Sequence, residues 1–325
     1  MPGFSISDIR RAAERLRGRV VRTPLLDSPM LDQLAGCKIH VKAESLQRTG
    51  AFKFRGALNK LLAMDDASRG GGVVTFSAGN HGHALAAAAH AVGCPALIVL
   101  PNNAAAIKVD NCRWWGAEIV VYDPLTQDRA EIAGRIAQQR GMTFVPPFDD
   151  LDIMAGQGTC GLEMCEQLDE LGVQPDAVLL NTSGGGLASG VAEAVKSAFP
   201  QAQIYVVEPA GLEKMARSLQ SGKPESNPPG RLTLLDGING PLAGALPLTV
   251  LQRHGARGLS VSDEDALAAM AAAFRFLKLA VEPAGAASLA AVLAKKIDLA
   301  GKNVAVVASG GNVDPEVFIR ALAPR

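Results

Sequence analysis

The chain has 325 residues, of which 48% are hydrophobic and 20% are charged, and its 32 basic side chains balance 32 acidic ones. This composition is typical of a folded, soluble protein, and the length is sufficient for about two domains. A net charge of zero without basic runs argues against a nucleic-acid or anionic membrane partner.

The cysteines indicate neither disulfide bonds nor a zinc site. There are five, an odd number, and none forms a Cys-x-x-Cys pair. No apolar segment has the length and continuity of an export signal or a membrane span. These features predict a protein of the reducing cytoplasm.

Short apolar runs and stretches of helical spacing alternate along the chain. The alternation predicts a mostly parallel α/β sheet with helices on both faces. Glycines at 70–72 and the Pro146–Asp150 segment interrupt this pattern and predict a smaller α/β unit between them. The predicted strands are Ile39–Ala43, Val73–Phe76, Ala96–Leu100, Ile119–Tyr122, Ala177–Leu180, Ile204–Val207 and Val304–Ala308. The predicted helices are Leu58–Met64, His81–Val92, Ala105–Trp115, Gln127–Arg140, Leu162–Leu171, Val191–Phe199, Asp263–Leu279 and Pro283–Lys295.

Three glycine-rich turns directly follow predicted strands: Ser77–Gly82, Ser183–Leu187 and Ser309–Asn312. Ligands of open α/β sheets bind at the carboxyl ends of strands, where helix N-termini favour anions. Glycine also serves tight turns that bind nothing. The second turn does not continue as Gly-x-Gly-x-x-Gly, because Ser189 stands at the last glycine position, and no Gly-Lys-Ser/Thr motif follows it. The pattern therefore disfavours NAD and a Walker-type nucleotide site.

Lys53 stands between Phe52 and Phe54, just inside a predicted helix. Desolvation by large aromatic neighbours lowers the pKa of an ammonium group and makes the neutral amine available as a nucleophile and base. The alternative is a surface lysine whose stem packs on the protein while its charge remains in water.

Together these segments resemble the fold-type II pyridoxal-phosphate (PLP) enzymes of the threonine dehydratase and serine racemase group, and the resemblance covers nearly the whole chain. It rests on nine motifs that occur in the order and spacing of that family. They are Arg22–Leu25, Thr49–Ala57, Ser77–Gly82, Ala155–Thr159, Ser183–Leu187, Val207–Pro209, Leu235–Gly237, Val281–Ala286 and Ser309–Asp314.

The resemblance implies two open twisted sheets with helices on both faces, as in the tryptophan synthase β-like fold, with PLP in the cleft between two domains. The large domain would comprise residues 1–63 and 149–325, and the small substrate-side domain residues 64–148. The resemblance also implies a homodimer, and no C-terminal regulatory domain is expected.

The resemblance further implies the cofactor site. Lys53 would form the Schiff base with PLP and later accept the Cα proton of the substrate. Asn80 would contact the ring hydroxyl of PLP, and Ser309 the pyridine nitrogen. The glycine turn would bind the phosphate, although Ser183 replaces a glycine of many relatives. The implied cofactor-binding set is Phe52, Lys53, Asn80, Ser183, Gly184, Gly185, Gly186, Leu187, Gly237, Glu282, Ser309 and Gly310.

A second set of residues would bind the amino-acid substrate. The loop formed by Ser77, Ala78, Gly79, Asn80 and His81 would surround the α-carboxylate; Asn80 and His81 could instead serve to cap a helix. Arg129 lies where racemase-like relatives carry an arginine, and it could hold a second carboxylate. It could equally be a surface residue that pairs with Asp128 or Glu131.

The reaction implied is dehydration and deamination of a β-hydroxy amino acid such as L-serine or L-threonine. Three alternatives stay open: a 3-hydroxyaspartate dehydratase that uses Arg129, an amino-acid racemase, and a PLP-binding module without catalysis. A racemase needs a second base, and relatives that racemise have a serine where this chain has Ala78. An intact Lys53 argues against the non-catalytic module.

No metal ion is predicted. Relatives that bind a divalent cation use a glutamate, a backbone carbonyl and an acidic side chain at the positions of Glu208, Leu212 and Lys214 in this chain. A hard cation requires oxygen ligands, and an ammonium group cannot supply one. We therefore expect Lys214 to replace the charge of the ion and to pair with Glu208.

Overall fold

The computed structural model describes residues 3–77, 79–104 and 106–323. Its larger sheet has six strands in the order β1-β2-β10-β7-β8-β9, in which β1 is antiparallel to β2 and all other neighbours are parallel. These strands are β1 (Leu25–Leu26), β2 (Lys38–Lys42), β7 (Ala177–Asn181), β8 (Gln203–Pro209), β9 (Arg257–Val261) and β10 (Asn303–Val307).

The smaller sheet has four parallel strands in the order β5-β4-β3-β6. All four lie between residues 64 and 148, the segment predicted as the small domain; the limits of both domains stay a prediction. The strands are β3 (Val73–Phe76), β4 (Ala96–Pro101), β5 (Glu118–Tyr122) and β6 (Thr143–Phe144).

Helices pack on both faces of each sheet, so the predicted fold class is confirmed. In the described ranges, none of the helices is long and apolar enough to span a bilayer. The helices are α1 (Ile6–Leu16), α2 (Pro29–Ala35), α3 (Lys53–Ala63), α4 (Asp66–Gly71), α5 (Asn80–Val92), α6 (Ala106–Trp114), α7 (Arg129–Arg140), α8 (Leu151–Glu170), α9 (Gly186–Ala198), α10 (Lys214–Ser221), α11 (Ala245–Arg253), α12 (Asp263–Ala272), α13 (Pro283–Leu293) and α14 (Pro315–Leu322).

The helices predicted from Leu58 and Val191 begin five residues earlier, at Lys53 and Gly186. Two other predicted helix boundaries differ more from the structure. The helix predicted over 162–171 begins at Leu151, because three interior glycines of α8 lower its helix propensity although the segment is helical. The helix predicted over 263–279 ends at Ala272, where a π-helical turn follows and Lys278 adopts a left-handed conformation with φ 60°.

The glycines of α8 allow its backbone to approach the neighbouring helices closely. A Cβ atom on Gly156 would lie 2.6 Å from the Cα of Gly56 in α3 and 2.7 Å from the carbonyl oxygen of Arg55. A Cβ atom on Gly161 would lie 2.8 Å from the Cα of Val191 in α9. Since α3 begins at Lys53, this close contact sets the position of that lysine.

A buried ion cluster holds the same end of α3. The guanidinium of Arg55 donates to both carboxylate oxygens of Glu44 at 2.8 Å and to both oxygens of Glu163 at 2.8 Å. Lys42 Nζ donates to Glu163 at 2.9 Å and to the carbonyl oxygen of Thr23 at 2.7 Å. Burial alone would raise the pKa of Glu44, but the charge and hydrogen bonds of Arg55, the charge of Lys42 and the hydrogen bond from Thr23 together outweigh burial and lower that pKa. The formal charges of the cluster, two positive and two negative, cancel.

We expect Gly156→Ala to destabilise the protein by about 1–3 kcal/mol, because the added methyl group overpacks the contact between α3 and α8. Gly134→Ala is the matched control, since Gly134 lies within α7 with no atom near its missing Cβ. This control should stabilise the protein by about 0.5–1 kcal/mol through helix propensity. Thermal unfolding of both variants checks the prediction; equal effects would contradict the close packing described here.

Candidate active site

The candidate site lies between the two sheets, where the carboxyl ends of β3, β7 and β10 each lead into a glycine-rich turn. Main-chain hydrogen bonds join the lysine segment to the third turn: Phe52 N–H donates to the carbonyl oxygen of Ser309 at 3.0 Å, and Ala51 forms a bridge with Gly310. The structure thus brings together segments that are more than 250 positions apart in the sequence.

Lys53 is the first residue of α3, and its amine lies in this cleft. Its Nζ donates to the carbonyl oxygen of Pro147 at 2.7 Å and lies 5.1 Å from the centre of the Phe52 ring. Burial lowers the pKa of Lys53 to about 8. The interpretation of Lys53 as a snorkelling surface lysine is therefore wrong, because its amine is desolvated.

The Pro146–Asp150 segment forms a wall of the site. A Cβ atom on Gly184 would lie 2.3 Å from the ring of Phe148, and one on Gly186 would lie 3.1 Å from the Cα of Phe148. Asp149 accepts a hydrogen bond from Leu246 N–H at 2.9 Å. The sequence marked this segment only as a boundary, and no motif indicated that it contacts both Lys53 and the glycine turn.

The second glycine turn presents main-chain N–H groups at the start of α9. Gly185 is the N-cap residue with φ 97°, a conformation that favours glycine. The first N–H groups of a helix have no partner within that helix, and the helix dipole favours an anion there. Ser183 lies against Gly240: a Cβ atom added to Gly240 would lie 2.7 Å from Ser183 Oγ. The side chain of Leu187 packs into the core, so its main-chain N–H is the group that an anion could bind.

Asn80 connects the smaller sheet to the larger one. Its Nδ2 donates to Glu282 Oε1 at 2.7 Å, and its Oδ1 accepts from Asn312 Nδ2 at 2.8 Å. Burial raises the pKa of Glu282 to about 8, and the negative charge of Asp236 adds to the rise. A Cβ on Gly310 would lie 2.4 Å from Glu282 Oε1, and one on Gly237 would lie 3.8 Å from it. Four predicted cofactor-binding residues therefore form one cluster.

The loop after β3 contains the predicted substrate carboxylate site. Gly79 is the N-cap of α5, so the capping role considered for the side chains of Asn80 and His81 was wrong. Ser77 Oγ accepts from Gly79 N–H at 3.3 Å and is half-buried. Ala78 lies outside the described residues.

His81 is buried and its imidazole is neutral. Burial, together with the charge of Lys53, lowers the pKa of His81 to about 3. Its Nε2 lies 3.3 Å from the carbonyl oxygen of Val145, and no described atom pairs with its buried Nδ1. The imidazole therefore offers no positive charge to a carboxylate, although the main-chain N–H of His81 lies in the first turn of α5.

Ser309 follows β10 and is buried beside Asn181. Its hydroxyl oxygen accepts a hydrogen bond from Asn181 Nδ2 at 3.0 Å. Sequence reasoning missed Asn181, because a polar residue at the end of an apolar strand carries no motif of its own.

Arg129 lies at the start of α7 with its guanidinium 5.0 Å from the centre of the Phe76 ring. Phe76 is the last residue of β3 and directly precedes Ser77. In the part of the chain that is described, no ion pair joins Arg129 to Asp128 or Glu131. This exposed arginine therefore lies near the loop that follows β3, and its contact with a second carboxylate stays a prediction.

The position that the family resemblance assigns to a divalent cation holds a lysine in this chain. Lys214 Nζ lies 3.5 Å from Glu208 Oε1 and 3.4 Å from the carbonyl oxygen of Ile238, and both side chains are buried. Glu208 also accepts the N–H groups of Met215 and Ala216 at 2.9 Å each. The ammonium group occupies the place of a cation, so these residues do not fit a metal ion.

Comparisons with known proteins agree with this geometry. The model of a family described as pyridoxal-phosphate dependent enzyme matches residues 16–310. An L-threo-3-hydroxyaspartate ammonia-lyase from Pseudomonas sp is 39% identical over 98% of this chain and 98% of its own length. An L-threonine ammonia-lyase from Thermotoga maritima is 38% identical over 98% of this chain and 78% of its own. The solved structure of maize serine racemase superposes with a TM-score of 0.90 at 37% identity, over 98% of this chain and 96% of that one.

We expect the apoprotein to bind PLP covalently with a rate that rises with pH up to about 8 and then levels off, because the neutral amine of Lys53 is the nucleophile. An ordinary lysine would give a rate that still rises toward its pKa of about 10.4. Stopped-flow absorbance of apoprotein mixed with PLP measures the profile. Lys53→Ala should abolish both this binding phase and turnover; turnover that survives in this variant would exclude Lys53 as the base.

We expect activity to survive removal of divalent ions, because Lys214 supplies the positive charge beside Glu208. The measurement is turnover before and after dialysis against EDTA. Loss of activity in EDTA with recovery on addition of magnesium would show that a metal site exists in spite of Lys214.

Proposed function

Since the chain belongs to the pyridoxal-phosphate dependent enzymes, we propose that it is an ammonia-lyase that acts on 3-hydroxyaspartate. The reaction eliminates water from the substrate, and hydrolysis of the resulting enamine yields oxaloacetate and ammonia. The observation that carries this choice is the position of Arg129, whose guanidinium carbon lies 5.0 Å from the centre of the Phe76 ring, next to the loop that follows β3. Among the described side chains, no carboxylate oxygen lies within 4.0 Å of its nitrogens, although its charge acts on the neighbouring Asp128. The hydroxyaspartate ammonia-lyase among the relatives supports it.

The residues present fit PLP. Lys53 offers a desolvated amine, and the start of α9 offers main-chain N–H groups for a phosphate. Ser309 has a buried hydroxyl that faces no acceptor among the described atoms, and His81 has an unpaired buried Nδ1. When bound, PLP supplies an electron sink that stabilises negative charge at the substrate Cα.

Lys53 accepts the proton from the substrate Cα. A pKa of about 8 leaves an appreciable fraction of neutral amine near neutral pH, and it also lets the ammonium group return the proton. The Pro147 carbonyl accepts one hydrogen of the amine and so fixes its position in the cleft.

Ser309 sets the type of reaction. Its buried hydroxyl would face the pyridine nitrogen of a bound cofactor and would donate a hydrogen bond without transferring a proton. A hydroxyl in that place, instead of a carboxylate, would favour elimination of a β-leaving group over transamination.

The first turn of α5 binds the substrate α-carboxylate. Its free N–H groups and the hydroxyl of Ser77 supply donors, and the helix dipole supplies a favourable field. His81 contributes its main-chain N–H, since its imidazole is neutral.

Arg129 binds the second carboxylate. Its guanidinium carbon lies 5.0 Å from the centre of the Phe76 ring, and the N–H groups of a guanidinium can make a bidentate contact with a carboxylate. Serine and threonine have no group for this contact, so Arg129 distinguishes hydroxyaspartate from them.

We infer that racemisation is minor. Inversion at Cα requires a proton donor on the face away from Lys53, and the methyl group of Ala78 has no proton to give. The serine racemases among the relatives share the fold and most of the site. Ala78 is therefore the residue on which this inference depends.

We expect Arg129→Ala to lower kcat/KM for 3-hydroxyaspartate by about 10- to 100-fold while L-serine turnover is unchanged, because a charge-assisted contact contributes about 1.5–3 kcal/mol. Arg135→Ala is the matched control, since it removes the same charge from the exposed surface of α7. Formation of 2-oxo acid from both substrates measures the effect. Equal losses on both substrates, or none, would leave serine or threonine dehydration as the better assignment.

A further inference from the structure

Asn181 ends β7 with its side chain buried between the larger sheet and α13. Its Nδ2 lies 2.8 Å from the carbonyl oxygen of Gly285, 3.0 Å from that of Val307 and 3.0 Å from Ser309 Oγ. Its Oδ1 accepts from Ser288 N–H at 2.5 Å. One amide therefore contacts β10, the turn that follows it and the first turns of α13.

The partners of this amide fix which end carries the hydrogens. The N–H of Ser288 can only donate, so the atom that faces it must be the amide oxygen. The carbonyl oxygens of Gly285 and Val307 can only accept, so the atom that faces them must be the NH₂ group. A flipped amide would place two acceptors against each other and two donors against each other. The orientation is thus determined independently of Ser309.

This orientation dictates the direction of the Ser309 hydroxyl. The two amide hydrogens of Asn181 are shared among three acceptors, the two carbonyl oxygens and Ser309 Oγ. The amide nitrogen cannot itself accept a hydrogen bond, so the hydroxyl hydrogen of Ser309 points elsewhere. In residues 3–77, 79–104 and 106–323, no acceptor takes that hydrogen, although Ser309 is only 5% exposed. A buried hydroxyl donor without a partner is unfavourable, so it is poised for an acceptor that enters the cleft.

We propose that Asn181 is a positioning residue that holds the Ser309 hydroxyl as a hydrogen-bond donor toward the cofactor ring nitrogen. The proposal rests on the role of Ser309 in the proposed function and is independent of which amino acid is the substrate. The ring nitrogen needs a donor, and a serine free to rotate would offer lone pairs as readily as its proton.

The test is a double-mutant cycle on PLP affinity. Asn181→Asp places a carboxylate oxygen beside Ser309, and this oxygen attracts the hydroxyl hydrogen of Ser309 away from the cleft. Ser309→Ala removes the hydroxyl donor altogether. Each single change should raise the Kd of the apoprotein for PLP by about 2- to 10-fold, the value of one hydrogen bond between neutral groups. Titration of protein fluorescence with PLP gives Kd, and the visible absorption of bound PLP reports the environment of the ring.

In the Ser309→Ala background, Asn181→Asp should have no further effect on Kd, because its influence passes through the missing hydroxyl. Since an unpaired buried carboxylate can prevent folding, Asn181→Ser provides a second variant whose shorter side chain no longer reaches Ser309. The circular dichroism spectrum of each apoprotein identifies the folded variants. Ser288→Ala is the matched control, because it removes a donor to the Val307 carbonyl in the same network without touching Ser309.

Wild-type affinity in Ser309→Ala, or in both Asn181 variants, would overturn the proposal. The proposal would also be overturned if the rise in Kd of the double variant equalled the product of the rises in the two single variants. Asn181 would then affect PLP binding independently of the Ser309 hydroxyl. A substrate other than 3-hydroxyaspartate would change none of these measurements, because they involve no substrate.

Discussion

The buried guanidinium of Arg55 is the constraint on which the position of Lys53 depends. An ionised group in the interior is tolerated only when it is paired in good geometry, and loss of one partner of such a pair costs about 3–5 kcal/mol. Arg55 meets two carboxylates, Glu44 before α3 and Glu163 on α8. Since Lys53 lies two residues before Arg55 on the same helix, its backbone cannot shift without separating these charges. The protein thus fixes its reactive amine through a neighbouring group that takes no part in the chemistry.

The same constraint explains two of the sequence motifs on which the family resemblance rests. Thr23 of the Arg22–Leu25 motif donates its hydroxyl to Glu44 at 2.5 Å. Thr159 of the Ala155–Thr159 motif accepts from Arg55 at 3.3 Å, and Gln157 of that motif accepts from Gly56 N–H at 3.2 Å. These motifs therefore support the site from outside. The segments that line the cleft are the glycine turns, the lysine segment and the loop after β3.

The family resemblance implied the cofactor and the two-sheet architecture. The sequence pattern itself predicted the α/β class and the seven main strands, because parallel strands are buried on both faces and appear as apolar runs. It missed β9, an edge strand whose Arg257 and Gly258 break such a run. It also missed the N-terminal half of α8, whose glycines allow close packing against the neighbouring helices. It could not identify Phe148 or Asn181, since their roles arise from contacts with segments distant in the sequence. Nor could it show that His81 is neutral, because that property depends on burial beside Lys53.

Lys53 and Arg129 are attached to different parts of the molecule. Lys53 is held by α3, which packs against α8 and against α5 on one face of the smaller sheet, whereas Arg129 begins α7 on the opposite face of that sheet and lies over the Phe76 ring there. A replacement at residue 129 would therefore leave the packing around the reactive amine undisturbed. On such a scaffold, a gene duplicate can acquire a new substrate by a few changes in the smaller sheet and retain an intact catalytic centre throughout its divergence.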